Sequence, residues 1–381
     1  MKDYLIKNTR IILPDIISQT RDVLISGDTI AAVGTGFAPN EAEVLDAGGA
    51  YLAPGLVDIH IHGAAGVLCD TARPRDINTM SAALARLGTT AFLPTVSASP
   101  KDMTVAALSA IGKAAGAVDG ARILGAHMEG PYLNPVRAGA QRPDALHNYA
   151  KGELSSYLDA AGGLLKIMSL APELPAGMDL IDDLVAAGIV PAAVHTDATY
   201  DQAVRAIERG LRLTCHTFNA MRPIHHREPG IAVAAMLARD IFCEFIADGF
   251  HLALPMIELA YRVKGSDRMI LISDAVAPGV PEGDYDFFGT TTRVEAGRVF
   301  FPETGILAGS ASPLMAGVKN LHAHTTIPLA HIIRAASLNP ATLIGRDNEV
   351  GSIAVGKRAD LLLLNEKLDI LNIWIGGRLI V

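Results

Sequence analysis

Residues 56–66 read LVDIHIHGAAG and follow directly on Ala53-Pro54-Gly55. The run Leu56 to Ile61 is dominated by aliphatic and β-branched side chains, which predicts a buried strand. His60 and His62 are two positions apart, so on a strand they share one face. Gly63-Ala64-Ala65-Gly66 then supplies small, turn-forming residues. Two imidazoles on one face at a strand end suit a metal clamp. The pair by itself fits a purely hydrogen-bonding role equally well, and further ligands have to come from elsewhere in the chain.

Seven more runs of the same texture follow: TAFLPTV, RILGAHMEG, LLKIMSLAP, IVPAAVHTD, LRLTCHTF, IFCEFIAD and MILISDAV, ending near residue 276. Ala-rich stretches with helical spacing, such as INTMSAALARLG and TYDQAVRAIERGL, separate them. Eight buried strands alternating with helices predict an α/β fold, a (β/α)8 TIM-type barrel. An open doubly wound sheet is the rival, but no G-x-G-x-x-G follows the first strand.

The flanks differ. Short strand-like pieces fill residues 1–50 (YLIKNTRIIL, RDVLISGDTIAAVG), and the same texture returns in 351–381 (ADLLLLN, LDILNIWI, GGRLIV). Neither flank can bury a core alone, so the two ends are expected to meet in one small β-domain. The expected division is 1–52 and 346–381 for that domain and 53–345 for the barrel. At 381 residues, 50% hydrophobic and 19% charged, the chain is long enough for both. The formal net charge is −8 with no Lys/Arg block, which argues against nucleic acid or an anionic membrane as partner. Apolar runs such as LVAAGIVPAAVHT are too short to span a bilayer. The start, MKDYLIKNTRIILPD, lacks the long apolar core of a signal peptide. Cys69, Cys215 and Cys243 are far apart, with no C-x-x-C, so no disulfide framework is expected. A soluble cytoplasmic protein is the resulting expectation.

Barrel enzymes carry their chemistry at the C-terminal ends of the strands. Polar residues collect there: His60 and His62 on the first strand, Glu129 on the third, His195 on the fifth, His216 on the sixth, Asp248 and His251 after the seventh, and Asp274 on the eighth. Each has a plain structural explanation, a hydrogen-bonded histidine or a helix-capping aspartate. Six of eight strands delivering such residues to one rim is harder to explain that way. Glu129, His195 and His216 make a three-ligand site with an open position, and His60 with His62 can hold a second ion bridged by Glu129. Imidazole and carboxylate donors favour zinc, with iron or manganese as alternatives. Asp274 is left over as a proton acceptor.

The motifs PGLVDIHIHG, HMEGPYLNP, HTDATYDQA, HTFNAM followed by HHREPG, ADGFHL, ISDA, LAGSASPLM, SLNPA and GSIAVGKRADLLLL together resemble the N-acetylglucosamine-6-phosphate deacetylases of the amidohydrolase superfamily, across nearly the whole chain. The resemblance implies a barrel plus β-sandwich, a homodimer and hydrolysis of the N-acetyl group of an amino-sugar phosphate, releasing acetate. It implies metal roles for Glu129, His195 and His216, a general acid/base role for Asp274, and membership of the group able to use His60 and His62 for a second metal. It implies substrate contacts at Ala140, Gln141, Asn219, Ala220, Arg227, Asp248, His251 and Leu307, Ala308 and Gly309. Arg227, a planar fork that is always charged, suits the phosphate. The sequence departs from the family at Gln141, where G-A-H is usual, so the acetyl contact loses a group able to carry charge. The alternatives are a related substrate such as N-acetylgalactosamine 6-phosphate, another amidohydrolase chemistry, or a sugar-phosphate sensor that has kept the pocket.

Overall fold

The computed structural model describes residues 2–38, 41–287 and 289–381. Residues 1, 39 and 40 of the expected N-terminal segment lie outside the described residues. The eight expected strands form one parallel sheet: Leu56–Ile61, Thr89–Val96, Ala126–Glu129, Leu165–Leu170, Val190–Ala193, Leu213–Thr214, Phe242–Ile246 and Met269–Ile272. Each is followed by a helix, from Pro74–Arg86 after the first to Leu314–His324 after the eighth. Thr199 and Gln202 form a reciprocal capping box at the head of Tyr200–Arg209.

The curved sheet closes between its first and last strands through side chains as well as backbone. Asp58 accepts hydrogen bonds from the Ser273 hydroxyl and amide (2.5 and 3.3 Å), and the Asp274 amide donates to the His60 carbonyl (3.0 Å). Asp58 is fully buried, and burial pushes its carboxyl up to about 7 despite the donors around it. The barrel interior is filled by Val57, Ile59, Leu93, Ile167, Ala192, Leu213, Ile270 and Ile272. The first strand also carries one residue more than its neighbour between Asp58 and Ile61 (Asp58 pairs with Phe92, Ile61 with Pro94). That bulge re-aims the strand, so His60 and His62 face the mouth after Val57 and Ile59 have faced the core.

The chain ends meet as expected. Leu361–Leu364 pairs antiparallel with Tyr51–Pro54, joining Ile370–Ile375 and Arg378–Leu379 to the N-terminal strands Tyr4–Ile12, Ile17–Ser26, Thr29–Gly34 and Glu43–Asp46. Tyr4 and Trp374 lie three strands apart in this ladder, about 14 Å in a flat sheet. Their rings are 6.0 Å apart, edge to face. The ladder is therefore folded over its own apolar core, giving a small β-sandwich beside the barrel.

One element was not anticipated. Between the eighth strand and its helix, Gly283–Phe287, Thr290–Glu295, Arg298–Phe300 and Leu307–Ser310 form an antiparallel four-stranded sheet at the barrel mouth. Among the described residues no helix is long and apolar enough to cross a membrane.

Trp374 is fully buried at the fold of the small sheet. Trp374→Ala is expected to lower unfolding stability by about 3–5 kcal/mol, while leaving KM nearly unchanged below the melting transition. Denaturant titration alongside steady-state kinetics checks both.

Candidate active site

Glu129, at the end of the third strand, is 2% exposed and stands at the centre of the mouth. Its Oε1 lies 3.1 Å from His216 Nε2, 3.4 Å from His195 Nε2 and 3.5 Å from His60 Nε2. Its Oε2 lies 3.2 Å from His62 Nε2. Asp274 Oδ1 stands opposite, 3.3 Å from His62 Nε2 and 3.6 Å from His60 Nε2. The five expected ligands and the expected acid/base therefore converge on one point, from the first, third, fifth, sixth and eighth strands.

The imidazoles are oriented from behind. His195 Nδ1 donates to the Arg137 carbonyl (2.7 Å), an acceptor only, so its Nε2 carries the lone pair that faces Glu129. Ser97 Oγ gives its one proton to Asp70 (3.2 Å), so it accepts from His62 Nδ1 (3.1 Å), and the His62 Nε2 also points inward unprotonated in the neutral ring. His60 Nδ1 lies 3.0 Å from Glu244 Oε2. His216 Nδ1 is buried without a hydrogen-bond partner among the described residues. Arg137, Ser97, Asp70 and Glu244 were not singled out in the sequence. Only Glu244 carried a signal there, as the one charge inside the apolar run IFCEFI.

The electrostatics follow from this packing. Burial disfavours the His62 imidazolium, but bonds to Asp274 and Glu129 outweigh it and raise its pKa to about 9. Burial likewise opposes charge on His60, and the Glu129 and Glu244 carboxylates override it and hold its pKa well above the usual range. Burial tends to raise both site carboxyls. The surrounding imidazoles prevail, and Glu129 and Asp274 are held well below their ordinary values. The buried Glu129 and the partly buried Asp274 are thus ringed by imidazoles whose protons a divalent cation can displace.

The residues fit such an ion. His60 Nε2 is buried with no hydrogen-bond partner among the described residues, although it faces oxygens of both Glu129 and Asp274. The ligand atoms of His60, His62 and Asp274 lie within 4.8 Å of one another, as do those of His60, Glu129 and His216. A third grouping, His60, His127 and Cys215, is different. Both nitrogens of His127 are spent, on the Ile59 carbonyl and Ser169 Oγ, and burial pushes the Cys215 thiol up. It is a packed hydrogen-bonded layer below the site.

A cavity of about 750 Å³ opens above this cluster. Ala140, Gln141, Asn219, Ala220, His251 and Leu307 to Gly309 line it. Asp248 stands behind the wall, holding His251 by a 2.6 Å bond to Nδ1. Burial opposes charge on His251 too, and the bond to Asp248 outweighs it and raises its pKa. Gln141 is doubly engaged: its amide nitrogen donates to Glu129 Oε2 (2.6 Å), and its oxygen accepts from the Ala98 amide (3.0 Å). Arg227 is not among the lining residues. It is exposed, its Nη1 2.8 Å from His226 Nε2, while Glu228 pairs with Arg222 instead. The arginines that do line the cavity, Arg137 and Arg142, are paired with Asp197 and Asp144.

Backbone strain is concentrated here. His195, His216, Phe218, Ala220 and Asp274 have φ between 28° and 83°, half of the ten non-glycine residues with positive φ among the described residues. Gly139 has φ +58°, and a Cβ there would sit 3.1 Å from the His195 ring, so the loop crosses its ligand only as glycine.

A closed (β/α)8 barrel with carboxylates and imidazoles converging at its C-terminal mouth defines a hydrolase of the metal-site type. The amidohydrolase family profile matches residues 51–380. The chain is 36% identical to the N-acetylglucosamine-6-phosphate deacetylase of Vibrio furnissii, over 94% of this chain and 91% of that one. It is 32% identical to the N-acetylgalactosamine-6-phosphate deacetylase of Escherichia coli O157:H7, over 93% of each. Among solved structures it resembles an aspartate-to-alanine mutant of the N-acetyl-D-glucosamine-6-phosphate deacetylase of Mycobacterium smegmatis in complex with N-acetyl-D-glucosamine-6-phosphate, with 31% identity, a TM-score of 0.93 and 100% of both chains covered. The chain belongs to the amidohydrolase family, within its N-acetylglucosamine-6-phosphate deacetylase branch.

His195→Ala removes one of the imidazoles that face Glu129 Oε1. It is expected to lose bound divalent metal and turnover together; elemental analysis after exhaustive dialysis, at full occupancy, would contradict the ligand role.

Proposed function

We propose that this chain hydrolyses the N-acetyl group of N-acetylglucosamine 6-phosphate, giving glucosamine 6-phosphate and acetate. The observation that carries the reading is the convergence of four imidazoles, Glu129 and Asp274 on the floor of a sugar-sized cavity, in a chain of this family. In this reading Glu129, His195 and His216 would hold one divalent ion, and His60 and His62, sharing Glu129, would hold a second. Zinc fits the donor set best, ahead of iron and manganese. When bound, a divalent ion lowers the pKa of water and polarises a carbonyl.

The protein groups do the rest. Asp274, ionised and facing the cavity, accepts the proton released as the water oxygen bonds to the acetyl carbon. It then delivers that proton to the sugar nitrogen as the C–N bond breaks, giving the amine and acetic acid, whose remaining proton passes to the amine to leave acetate and the ammonium form. His251, oriented by Asp248, donates to the sugar or its carbonyl oxygen. Asn219 and the Leu307–Gly309 strand hold the ring against the mouth. Arg227 is the proposed phosphate ligand. Because it lies on an exposed loop outside its own chain's cavity, it meets the phosphate by a turn of that loop or from the second protomer of the proposed homodimer. The proposed catalytic unit is 53–345, with 1–52 and 346–381 as the supporting domain, and the proposed compartment is the cytoplasm.

A second reading, N-acetylgalactosamine 6-phosphate as the preferred substrate, draws on Gln141. Its amide is committed to Glu129 and Ala98, so the contact that the family's usual histidine makes at this place is altered. Acetate release measured on both phosphorylated sugars and on their unphosphorylated forms, with defined metals, separates the readings. No turnover of any of them would refute both.

Asp274→Asn is expected to keep its metal and lose most of kcat, because an amide cannot shuttle the proton; near wild-type kcat would refute the acid/base role. Arg227→Ala is expected to raise KM for the phosphorylated sugar by about 2–5 kcal/mol in transition-state binding if the pair is desolvated, and less if water reaches it. The unphosphorylated sugar should be barely affected. If Arg142→Ala produces that split instead, the phosphate sits on the cavity wall of its own chain.

A further inference from the structure

Glu244 lies in the middle of the seventh strand, wholly buried, among Phe242, Cys243, Phe245 and Ile246. Nothing in the reaction just described uses it. A buried carboxylate without a partner is costly, so each one needs compensation. Among the described residues no Lys or Arg makes an ion pair with Glu244; its partner is His60, with Oε2 3.0 Å from Nδ1, while Oε1 has no hydrogen-bond partner. The contact spans the barrel, from the seventh strand to the first.

That contact decides which nitrogen of His60 is available. A carboxylate accepts, so Nδ1 carries the proton and donates, and Nε2 of the neutral ring presents its lone pair to the mouth. There Nε2 is within 3.5 and 3.6 Å of oxygens of Glu129 and Asp274 and has no hydrogen-bond partner among the described residues. His62 is prepared in the same sense by Ser97 and Asp70. Both imidazoles of the first strand are thus held from behind by carboxylates, directly or through a hydroxyl, which is how metal-ligating histidines are commonly held.

We propose that Glu244 is a positioning residue that commits His60 to coordination through Nε2, and that it sets the affinity of a second divalent ion held by His60 and His62. The inference rests on the metal-dependent reading above, but concerns only the second ion. Within Glu129, Oε1 faces His60, His195 and His216, whereas Oε2 is shared between His62 and the Gln141 amide.

The test titrates cobalt(II) into metal-stripped full-length protein, counting ions per chain by elemental analysis and following the visible absorption of the ligated cobalt. Wild type is expected to bind two ions. Glu244→Leu should weaken the second by about 10–100-fold, the usual cost of losing such a support, and leave the first in place. Glu244→Gln, whose amide oxygen still accepts from Nδ1, should recover most of that loss. Undiminished binding of the second ion by Glu244→Leu overturns the proposal, as does a wild type that binds only one. A wild type binding none would instead refute the metal-dependent reading itself. Should Glu244→Leu fail to fold, 15N-histidine spectra of metal-saturated wild type decide, with the His60 signals assigned by loss in His60→Asn. A proton on Nδ1 and a metal-shifted Nε2 support the proposal; a proton on Nε2 overturns it.

Discussion

A carboxylate 2% exposed at the mouth of a barrel has to be compensated, and Glu129 is ringed by four imidazoles from three other strands and accepts a hydrogen bond from Gln141. In a low-dielectric mouth the penalty of leaving it bare runs to several kcal/mol, so the positions of His60, His62, His195 and His216 are coupled to each other through it. Closure of the barrel is what makes the coupling possible. The first strand can bring its histidines to Glu129 only because the eighth strand seals against it, through Asp58 and Ser273 and through the amide of Asp274 itself. The same seam therefore completes the sheet and delivers Asp274, the proposed acid/base group, to the mouth.

The site is built at a cost in backbone conformation. His195, His216 and Asp274 are all left-handed at the ends of their strands, where the chain leaves the sheet and turns toward the helix. Left-handed backbone is unfavourable for residues with a Cβ, and it persists where surrounding contacts over-determine it. Here those contacts include the bond that the His195 ring donates to the Arg137 carbonyl and the one that the Asp274 amide donates to the His60 carbonyl. Ligand geometry and strained backbone thus stabilise each other.

The cavity wall shows how a family scaffold acquires its own character. Gln141 holds Glu129 and the second-strand loop at once, the role of a brace. The four-stranded insertion at Gly283–Ser310 adds Asp286 and Leu307–Gly309 to the rim, so part of the cavity wall comes from an element outside the repeating β/α plan.

Sequence by itself determined the parallel barrel, the joining of the two chain ends and the convergence of Glu129, His60, His62, His195, His216 and Asp274 on one rim. These are consequences of periodicity and of residue type at strand ends, and both are local properties of the chain. The insertion escaped notice because its strands are short and the first two, Gly283–Phe287 and Thr290–Glu295, contain a single aliphatic residue, Val294. Tertiary structure alone decided which nitrogen His60, His62 and His195 present, since Glu244, Ser97 and Arg137 lie from 35 to 184 residues away from the rings they hold. It also decided that Arg227 stands outside its own cavity while Arg137 and Arg142 line it. A lone charge such as Glu244 inside an apolar strand announces in the sequence that something must compensate it. Which group does so depends on what lies across the barrel, and only the closed sheet brings His60 there.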